Sequence, residues 1–367
     1  YKTILENQNE WIKPSFKKPQ YDLVWNRDYS LTQNCFSINT LNGRVKLSYF
    51  ADGMSKYFDH TIYKFGTAKL VNKHGKYYLH IPVTNKLVSI VGEIDNPKTL
   101  RVPLGTTVRE AVSFAGNITV EDPVYVMGGP MMGFPGTEDT VITKTTNAII
   151  ILPRDHHVAV RMEKNLAIEK NRASSACCQC RTCTDMCSRH ALGHPIEPHR
   201  VMRAVANHDT SDLSVFANTA YCSGCGICEE YACPQGLSPK SIIQEFKNGL
   251  RKAGVKAEKI EPAPVLEERE FRKLPVHRLA ARLDLVRYDI PAPFEDITHA
   301  AVQVRIPMSQ HIGAPARPVV HVGDQVKKGQ QIGEPQKGLS VAIHCSIDGV
   351  VQKVSDREVV VKGKKTP

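Results

Sequence analysis

Two short cysteine-rich runs are the most informative part of the sequence for the fold: CCQCRTCTDMC at residues 177–187 and CSGCGICEEYACP at residues 222–234. Together they hold nine of the eleven cysteines. Four cysteines of the first run are spaced C-x2-C-x2-C-x3-C, and those of the second C-x2-C-x2-C-x4-C-P. Three cysteines spaced in this way let one tight turn supply three corners of a tetrahedral group, so the fourth corner must come from elsewhere.

This spacing is typical of a bacterial two-cluster ferredoxin, with one residue added before the last cysteine. In that arrangement each [4Fe–4S] cluster takes its fourth thiolate from the other run, which predicts two crossed ligand sets. The ligands predicted for cluster one are Cys177, Cys180, Cys183 and Cys233. The ligands predicted for cluster two are Cys222, Cys225, Cys228 and Cys187. Cys178 is left over, and we expect a thiol that is buried or lies beside a cluster.

Zinc and disulfides are the competing interpretations of the cysteines. Zinc sites usually combine pairs of C-x2-C, often with His, and need four ligands rather than a triple and a remote fourth. A disulfide framework belongs to small secreted chains, whereas this one has 367 residues and no recognisable signal peptide. Both alternatives fit the spacing less well than iron–sulfur clusters do.

The composition predicts a multidomain globular protein. A chain of 367 residues is too long for a single ordinary core, so two to four domains are expected. No apolar run approaches the roughly 18–20 residues that span a bilayer, and reduced cysteines indicate the cytoplasm. The net charge of +11 fits an acidic partner such as another electron carrier, a nucleic acid, or simply a basic surface.

Residues 1–84 differ in composition from the rest, since they carry more than half of the chain's aromatic side chains and more Lys and Arg than Asp and Glu. Alternating segments at 44–50 and 76–81 predict strands, and the Asn-Gly and His-Gly pairs at 42–43 and 74–75 are turn signals. A basic, aromatic-rich β segment can bind RNA or DNA by charge and base stacking. On the residues alone, a small barrel with an aromatic core is the favoured alternative.

The sequence of residues 21–84, with NCFSINTLNGRVKLSYFADGMSKYFD and KLVNKHGKYYLHIPVT, resembles the wedge-type β-barrel of transposon-encoded RNA-guided nucleases of the TnpB family. These motifs are not specific. The acidic catalytic residues and zinc ribbon of that family have no counterpart downstream. The resemblance therefore implies at most RNA or DNA binding, without cleavage.

Residues 86–117, KLVSIVGEIDNPKTLRVPLGTTVREAVSFAGN, predict a strand, a turn at 95–97, a second strand and a helix. Thr106 or Thr107 is expected to cap this helix near Val108, with an acidic residue in its first turn.

The sequence VYVMGGPMMG follows at residues 124–133, and its glycines indicate a close approach of the backbone to a ligand or to the chain itself. A tight turn inside a β-grasp domain is the simpler alternative. The candidate cofactor-binding residues of this stretch are Gly128, Gly129 and Gly133.

Helices are predicted on both sides of the cysteine runs. Residues 154–176 and 198–209 have helical composition or spacing, and Ser238 is expected to cap a helix running to about Lys252. Such helices would bury the clusters and influence their potentials. Nearby histidines are expected to be structural, because the cysteines already complete both ligand sets.

The C-terminal third begins with a linker rich in Pro and Glu at 261–270, followed by a basic amphipathic helix at 272–289. From about residue 300, short β-branched segments separated by glycine turns predict a compact β-sandwich. This pattern is similar to barrel-sandwich domains of the biotinyl and lipoyl type. Lys337 lacks the residues that flank the lysine of a lipoyl or biotinyl carrier, so no covalent prosthetic group is expected on it. The domain is expected to have a structural role and to dock against the rest of the protein.

The order of these segments carries a wider resemblance. The β-grasp segment resembles the soluble-ligand-binding β-grasp (SLBB) module of RnfC-type electron-transport subunits and of the cobalamin reductases of propanediol-utilisation microcompartments. Residues 308–330, MSQHIGAPARPVVHVGDQVKKGQ, contain a QHIGAPA-type segment that both families share. It leads the chain in RnfC-type subunits and follows the cluster part in the cobalamin reductases, as it does here. Residues 83–367 therefore resemble the cobalamin reductases.

The resemblance implies FMN and NADH as cofactors, a corrinoid as electron acceptor, and microcompartment components as partners. The family's GAGGAGFPTH-like flavin loop does not occur in these 367 residues, where the wedge-like segment stands in its place. We therefore expect that a separate flavoprotein donates the electrons and that the chain alone does not oxidise NADH. The expected location is the cytoplasm, inside a bacterial microcompartment.

The predicted fold class is multidomain α+β, and the predicted function is iron–sulfur electron transfer from a flavin or NADH donor toward a corrinoid. An RnfC-like subunit of a membrane-associated complex and a nucleic-acid-binding remnant are the alternatives. The predicted segments are a β-rich wedge-like part at 1–84, the SLBB β-grasp domain at 85–153, the two-cluster ferredoxin domain at 154–255, a linker and short helix at 256–299, and the barrel-sandwich domain at 300–367.

Overall fold

The computed structural model describes residues 35–41, 44–50, 69–73, 76–80, 82–255, 261–310 and 313–363, with side chains from residue 82 onward except at 296–298. Two compact units are distinguished, one of residues 85–305 and one that combines the N-terminal residues with those from 306 onward. The boundaries of the five predicted segments stay predictions.

The N-terminal residues contribute two hairpins. Strand β1 (Cys35–Leu41) pairs antiparallel with β2 (Arg44–Phe50), and β3 (Lys69–Lys73) pairs in the same way with β4 (Lys76–His80). The strands predicted from alternation in this part are confirmed. The turn residues and all side chains before residue 82 lie outside the described residues, so the wedge-type barrel and the nucleic-acid surface of residues 1–84 stay predictions.

The larger unit is built on a six-stranded mixed sheet. Its strands are β5 (Asn85–Gly92), β6 (Lys98–Pro103), β7 (Pro123–Met127), β8 (Phe134–Gly136), β9 (Ala148–Pro153) and β10 (Phe294–Thr298). Their order across the sheet is β10-β6-β5-β9-β7-β8. The pairs β10–β6 and β5–β9 are parallel and the other pairs are antiparallel.

One face of this sheet is covered by helix α1 (Val108–Ala115). As predicted, Thr107 caps the helix, and its side-chain oxygen accepts a 3.3 Å hydrogen bond from the backbone N–H of Glu110. The apolar positions recur at helical spacing, which gives α1 a single buried face. That face is formed by Val108, Ala111, Val112 and Ala115.

The alternation of β9 explains why both faces of the sheet are covered. Ile149 and Ile151 pack with the residues of α1, whereas Ile150 and Leu152 point to the opposite face. Helix α2 (His157–Met162) packs on that second face. Burying each such aliphatic side chain contributes about 1.5–3 kcal/mol, so the sheet is stabilised from both sides.

Short helices surround the cysteine runs. They are α3 (Leu166–Ala176), α4 (Thr182–Asp185), α5 (Ser188–Ala191), α6 (Pro198–Ala206), α7 (Ser214–Ala217), α8 (Ile227–Glu230) and α9 (Pro239–Lys252). A 3-10 turn, Asn218–Tyr221, leads into the second run. The apolar faces of α3, α6 and α9 meet in one core, against which both runs pack.

The segment predicted as linker and basic helix is more structured than expected. Residues 261–266 have no regular structure, and a 3-10 turn (Glu267–Arg272), helix α10 (Val276–Arg282) and a second 3-10 turn (Val286–Tyr288) follow. The predicted single helix over 272–289 is therefore wrong in length. The chain then enters β10, which no local sequence pattern predicts.

The C-terminal part forms two small open sheets. Strands β11 (Gln303–Pro307), β13 (Gln325–Val326), β16 (Gly349–Val354) and β17 (Glu358–Gly363) form the first, in the order β11-β17-β16-β13. Strands β12 (Arg317–Pro318), β14 (Gln331–Glu334) and β15 (Ile343–His344) form the second.

Among the described residues of the whole chain, no helix is both long and apolar enough to cross a membrane.

Candidate functional site

The two cysteine runs have the same backbone turn. In the first run Gln179 and Arg181 are left-handed, with φ of 52° and 66°. In the second run Gly224 and Gly226 occupy the same two places after the first cysteine, with φ of 72° and 83°. A short helix begins directly after each turn, α4 in the first run and α8 in the second. Each run thus folds its three closely spaced cysteines around one point.

The turn costs more in the first run than in the second. A left-handed conformation is readily adopted by glycine, whereas any other residue loses about 1–2 kcal/mol in it. Gln179 and Arg181 therefore hold a strained backbone that Gly224 and Gly226 hold without strain. Such strain persists where the surrounding structure fixes the conformation, and it is concentrated at functional sites.

The last cysteine of the second run lies beside the first run. Burial, together with the neighbouring Cys233, Cys177 and Cys180, raises the pKa of Cys183 to about 12. Burial also raises the pKa of Cys177, and Cys178, Cys233 and Cys180 add to that effect. The structure therefore brings together the four cysteines predicted for cluster one. Cys233 reaches the first run only through the tertiary fold, because the intervening helices return the chain to it.

The last cysteine of the first run lies, in turn, beside the second run. Burial raises the pKa of Cys187, with the nearby Cys225 and Cys222 adding to the effect. Burial raises the pKa of Cys228 well above its ordinary value, and Cys187 is the next contributor. One cavity collects the set predicted for cluster two, and its cysteine lining is Cys187, Cys222, Cys225 and Cys228.

The donor set fits iron–sulfur clusters. All ten cysteines whose side chains the structure describes are free thiols, so none is used in a disulfide there. Three groups donate to the sulfurs: the Thr182 hydroxyl lies 3.2 Å from the Cys180 Sγ, and the Gly224 amide and the Gln244 side-chain amide lie 3.3 Å and 3.4 Å from the Cys222 Sγ. Hydrogen bonds of this kind stabilise thiolate ligands and influence cluster potentials.

The described residues contain no group of three or more Cys, His, Asp or Glu side chains spaced to hold a single metal ion. A four-iron cluster holds its thiolates at separate corners, so they stand further apart than the ligands of one ion. Cys178, the cysteine left over, is exposed rather than buried. It is a neighbour of Cys177 and Cys180, and the alternative expectation, that it lies beside a cluster, stays a prediction.

A buried ion network fastens the second run to α2. Arg161 donates to the backbone carbonyl of Glu229 at 3.0 Å and lies 2.8 Å from the Glu230 carboxylate. Its side chain is 7% exposed, and that of Glu230 equally so. Burial raises the pKa of Glu230 even though Arg161 acts to lower it. Because Glu229 and Glu230 directly follow Cys228, Arg161 fixes the second run just after its third cysteine.

A second network holds the residues after Cys233. Ser238 stands at the N-cap position of α9, but its side chain makes no capping hydrogen bond there. The Ser238 hydroxyl instead donates to the Glu169 carboxylate at 2.6 Å, and the Lys164 ammonium donates to the Gly236 carbonyl at 3.1 Å. The predicted position of Ser238 is confirmed, whereas its predicted capping role is wrong, because the backbone N–H of Ser241, at the third position of α9, donates to the Glu229 carboxylate at 2.9 Å instead.

The glycine-rich turn lies between β7 and β8. The Gly133 amide donates to the Gly129 carbonyl at 2.7 Å, and a Cβ on Gly133 would lie 2.6 Å from that oxygen. Gly128 is left-handed, with φ of 95°. The close approach inferred from sequence is therefore made to the chain itself, and cofactor binding by Gly128, Gly129 and Gly133 stays a prediction.

This turn also contacts the second run. The carbonyl of Met131 accepts a 3.0 Å hydrogen bond from the Lys240 ammonium, and a Cβ on Gly226 would lie 3.1 Å from the same oxygen. Lys240 lines the cavity that holds the second set of cysteines. The hairpin of the sheet therefore lies directly beside the cysteine turn.

The histidines near the runs make structural hydrogen bonds. His199 Nδ1 lies 2.8 Å from the Thr184 hydroxyl, and His190 Nδ1 lies 3.1 Å from the Ile196 carbonyl.

The sequence did not indicate Arg161, Lys240 and Gln244 as functional residues, because their partners are remote along the chain. The signal available for α9 was the shared helical face of residues 240, 244 and 247.

Three family models match the chain in the order of its described segments. The SLBB domain matches residues 87–135, the 4Fe-4S dicluster domain residues 176–238, and the RnfC barrel sandwich hybrid domain residues 293–366. The matches begin at residue 87, and the resemblance of residues 1–84 to a transposon nuclease stays a prediction. The expected SLBB, dicluster and barrel-sandwich domains are confirmed.

The chain is similar to curated cobalamin reductases. It is 38% identical over 283 residues to cobalamin reductase PduS of Salmonella typhimurium and 35% identical over 285 residues to that of Citrobacter freundii. Each alignment covers 76% of this chain, and the chain spans 62% of the length of each relative. The resemblance predicted for residues 83–367 is confirmed.

The chain is also similar, over a shorter stretch, to one component of an ion-translocating enzyme. It is 52% identical over 54 residues to a subunit of the Na(+)-translocating ferredoxin:NAD(+) oxidoreductase complex of Acetobacterium woodii. That alignment covers 15% of this chain and 12% of the relative. The RnfC-type likeness is therefore more local than the likeness to the cobalamin reductases.

Proposed function

We propose that the chain is an iron–sulfur electron-transfer protein that passes single electrons from a reduced flavin toward a corrinoid. The observation that carries the proposal is the exchange of the last cysteines between the two runs. Cys233 is a close neighbour of Cys183 and Cys177, and Cys187 is a close neighbour of Cys225 and Cys222. These neighbours support two groups of four thiols, as two cubane clusters require.

The ligand sets of the proposal follow these neighbours. Cluster one is held by Cys177, Cys180, Cys183 and Cys233, and cluster two by Cys222, Cys225, Cys228 and Cys187. The clusters supply one-electron chemistry when bound. The protein supplies the thiolates, the fixed turns and a partly buried setting, since burial raises the pKa values of Cys183 and Cys228 whereas Cys180 is exposed.

The corrinoid acceptor rests on the similarity to the two cobalamin reductases. The flavin donor rests on the family resemblance, and FMN and NADH belong to the proposal only as parts of the donor system. The proposed location is the cytoplasm, within a bacterial microcompartment whose components are partners. An RnfC-like subunit of an electron-transport complex is the second candidate, favoured by the barrel-sandwich match at residues 293–366.

Anaerobic reconstitution tests the proposal. We expect eight irons and eight sulfides for each chain, and two interacting paramagnetic centres by EPR after reduction with dithionite. Protein reduced in this way and freed of dithionite should reduce a cob(III)alamin in stopped-flow absorption measurements. A variant with Ala at Cys180 and Cys225 is the control. Failure to bind iron would refute the cluster assignment, and bound clusters that do not react with corrinoid would favour the second candidate.

A further inference from the structure

Helix α9 turns three polar side chains toward the second cysteine run. Lys240, Gln244 and Lys247 recur at spacings of four and three, which places them on one face of the helix. We call them the α9 polar face. None of the three belongs to the predicted ligand sets, and none is needed to fold the apolar side of α9, where Ile242 and Ile243 are buried.

Each member of the α9 polar face contacts the run or its surroundings. The Gln244 side-chain amide donates to the Cys222 Sγ at 3.4 Å, and the Lys247 ammonium donates to the Cys222 carbonyl at 2.5 Å. Lys240 lines the cavity shared by the four cysteines of the second set and donates to the Met131 carbonyl. Two positive charges and one amide N–H therefore surround the same cysteine turn.

Both runs hold carboxylates as well as cations. Near the first run, Arg181 and Arg272 lie 3.5 Å and 3.6 Å from the carboxylate of Asp185, which belongs to that run. In the second run, the buried carboxylates of Glu229 and Glu230 pair with Arg161. The hydrogen bonds of Lys240 and Lys247, in contrast, go to uncharged carbonyl oxygens. The donor to the Cys180 sulfur is likewise neutral, the hydroxyl of Thr182.

We propose that the α9 polar face raises the reduction potential of cluster two. This inference rests on the proposed function. Reduction transfers one electron from the external donor, a reduced flavin or dithionite, to the cluster, without bond formation or proton transfer. The added negative charge is stabilised by nearby cations and by N–H donors to the ligand sulfur, and more strongly in a site that excludes water.

The test is potentiometry followed by EPR on the reconstituted full chain. The variants are Gln244→Leu and Lys247→Met, and Lys247→Arg keeps the charge. Lys252→Met is the matched control, since it removes a charge from an exposed position of the same helix. A Cys225→Ala variant, which lacks cluster two, identifies the signal that belongs to each cluster.

We expect two midpoint potentials in the unaltered protein, and the one that is absent from Cys225→Ala belongs to cluster two. At a fixed potential, Gln244→Leu and Lys247→Met should each lower the ratio of reduced to oxidised cluster two about tenfold, a shift of about 59 mV for one electron. Cluster one should not shift. Lys247→Arg and Lys252→Met should match the unaltered protein.

The proposal is overturned if both variants keep two clusters at unchanged potentials, or if both clusters shift equally. It is also overturned if both variants lose cluster two, because the α9 polar face would then be structural. A chain that binds no iron–sulfur cluster at all would instead refute the proposed function, so the two failures are distinguishable by iron and sulfide content.

Discussion

Ser238 and Glu169, which are 69 residues apart in sequence, are joined by a buried hydrogen bond of 2.6 Å. Burial acts to raise the pKa of Glu169, but the Ser238 hydroxyl, Arg172 and Lys164 outweigh it and hold that pKa below its ordinary value. The carboxylate is thus kept charged inside the protein. It connects α3, which leads into the first run, with the start of α9.

Replacement of Ser238 by Ala should therefore destabilise the protein by about 2 kcal/mol, the usual contribution of a hydrogen bond to a charged group. Urea unfolding followed by circular dichroism under reducing conditions measures the change. Ser175→Ala is the control, since the exposed Ser175 hydroxyl bonds only to a helix carbonyl, and it should cost less than about 0.5 kcal/mol. Equal effects of the two changes would contradict the prediction.

The crossed ligand sets predict that replacing the last cysteine of either run removes the cluster bound mainly by the other run. Cys233→Ala should remove cluster one and leave cluster two, whereas Cys187→Ala should remove cluster two and leave cluster one. Iron content should fall by about half in each variant, and the EPR signals that remain should differ. Cys178→Ala is the control, because Cys178 is exposed and outside both sets. Loss of the same signal in both variants would refute the assignment.

Arg161 is predicted to be needed for the second run to fold. Its replacement by Met leaves Glu229 and Glu230 buried without their cation, and the loss of one partner of a buried pair costs about 3–5 kcal/mol. Arg154→Met is the matched control, since Arg154 is 52% exposed and pairs with exposed carboxylates, so that it should cost less than about 1 kcal/mol. Thermal unfolding of the two variants tests this difference in stability. Similar unfolding midpoints would show that the Arg161 network contributes little to the stability of the protein.

The shared turn predicts unequal responses to substitution. Gly226→Ala forces a side chain into the left-handed region, at about 1–2 kcal/mol, and brings its Cβ 3.1 Å from the Met131 carbonyl. Gln179→Gly relieves the same strain in the first run but adds freedom to the unfolded chain, so it should change stability by less than about 1 kcal/mol. Chemical unfolding of both variants measures the difference, and a larger loss for Gln179→Gly would contradict the shared turn.

A pH dependence follows from Tyr288 and Glu93. The Tyr288 hydroxyl donates to the Glu93 carboxylate at 2.6 Å and, with Thr119, holds the pKa of Glu93 below its ordinary value of 4.5. A lowered carboxyl pKa contributes stability above the unfolded pKa, and that contribution is lost as the pH falls through the folded pKa. Since Glu93 is partly exposed, the contribution should be only about 1 kcal/mol.

Glu93→Gln should therefore be less stable than the unaltered protein at pH 7, and the difference should shrink as the pH falls below 4.5. Unfolding measured across this pH range tests it. The exposed Glu121→Gln is the control and should show no such convergence. A difference that stays constant with pH would show that Glu93 acts through packing alone.

Local signals in the sequence predicted the parts of the fold that depend on neighbouring residues. Thr107 and the apolar spacing after it predicted α1, and the cysteine spacing predicted two groups of four thiols. Contacts between distant residues were not predictable in this way. The hydroxyl of Ser238 was expected to cap its own helix, but the Glu229 carboxylate, from α8, accepts the hydrogen bond of the Ser241 amide in its place.

Strand β10 was missed for the same reason. Its sequence, FEDIT, has no apolar alternation, and its pairing partner β6 lies almost 200 residues earlier in the chain. A strand is stabilised by its neighbours in the sheet more than by its own composition. The positions of Arg161 and the α9 polar face were not predictable from the sequence, because polar residues on a helix are usually solvated. Only the fold brings these side chains to the cysteine turns.

The return of β10 to the edge of the sheet has a consequence for biosynthesis. Strand β10 is the last strand to join the sheet, through the pairs Phe294 with Thr99 and Glu295 with Leu100. Strand β6 therefore stays without this neighbour until residue 298 has left the ribosome. By then both cysteine runs have already emerged. Cluster insertion can therefore begin before the sheet is complete, and the edge of β6 stays open to wrong pairing throughout that interval.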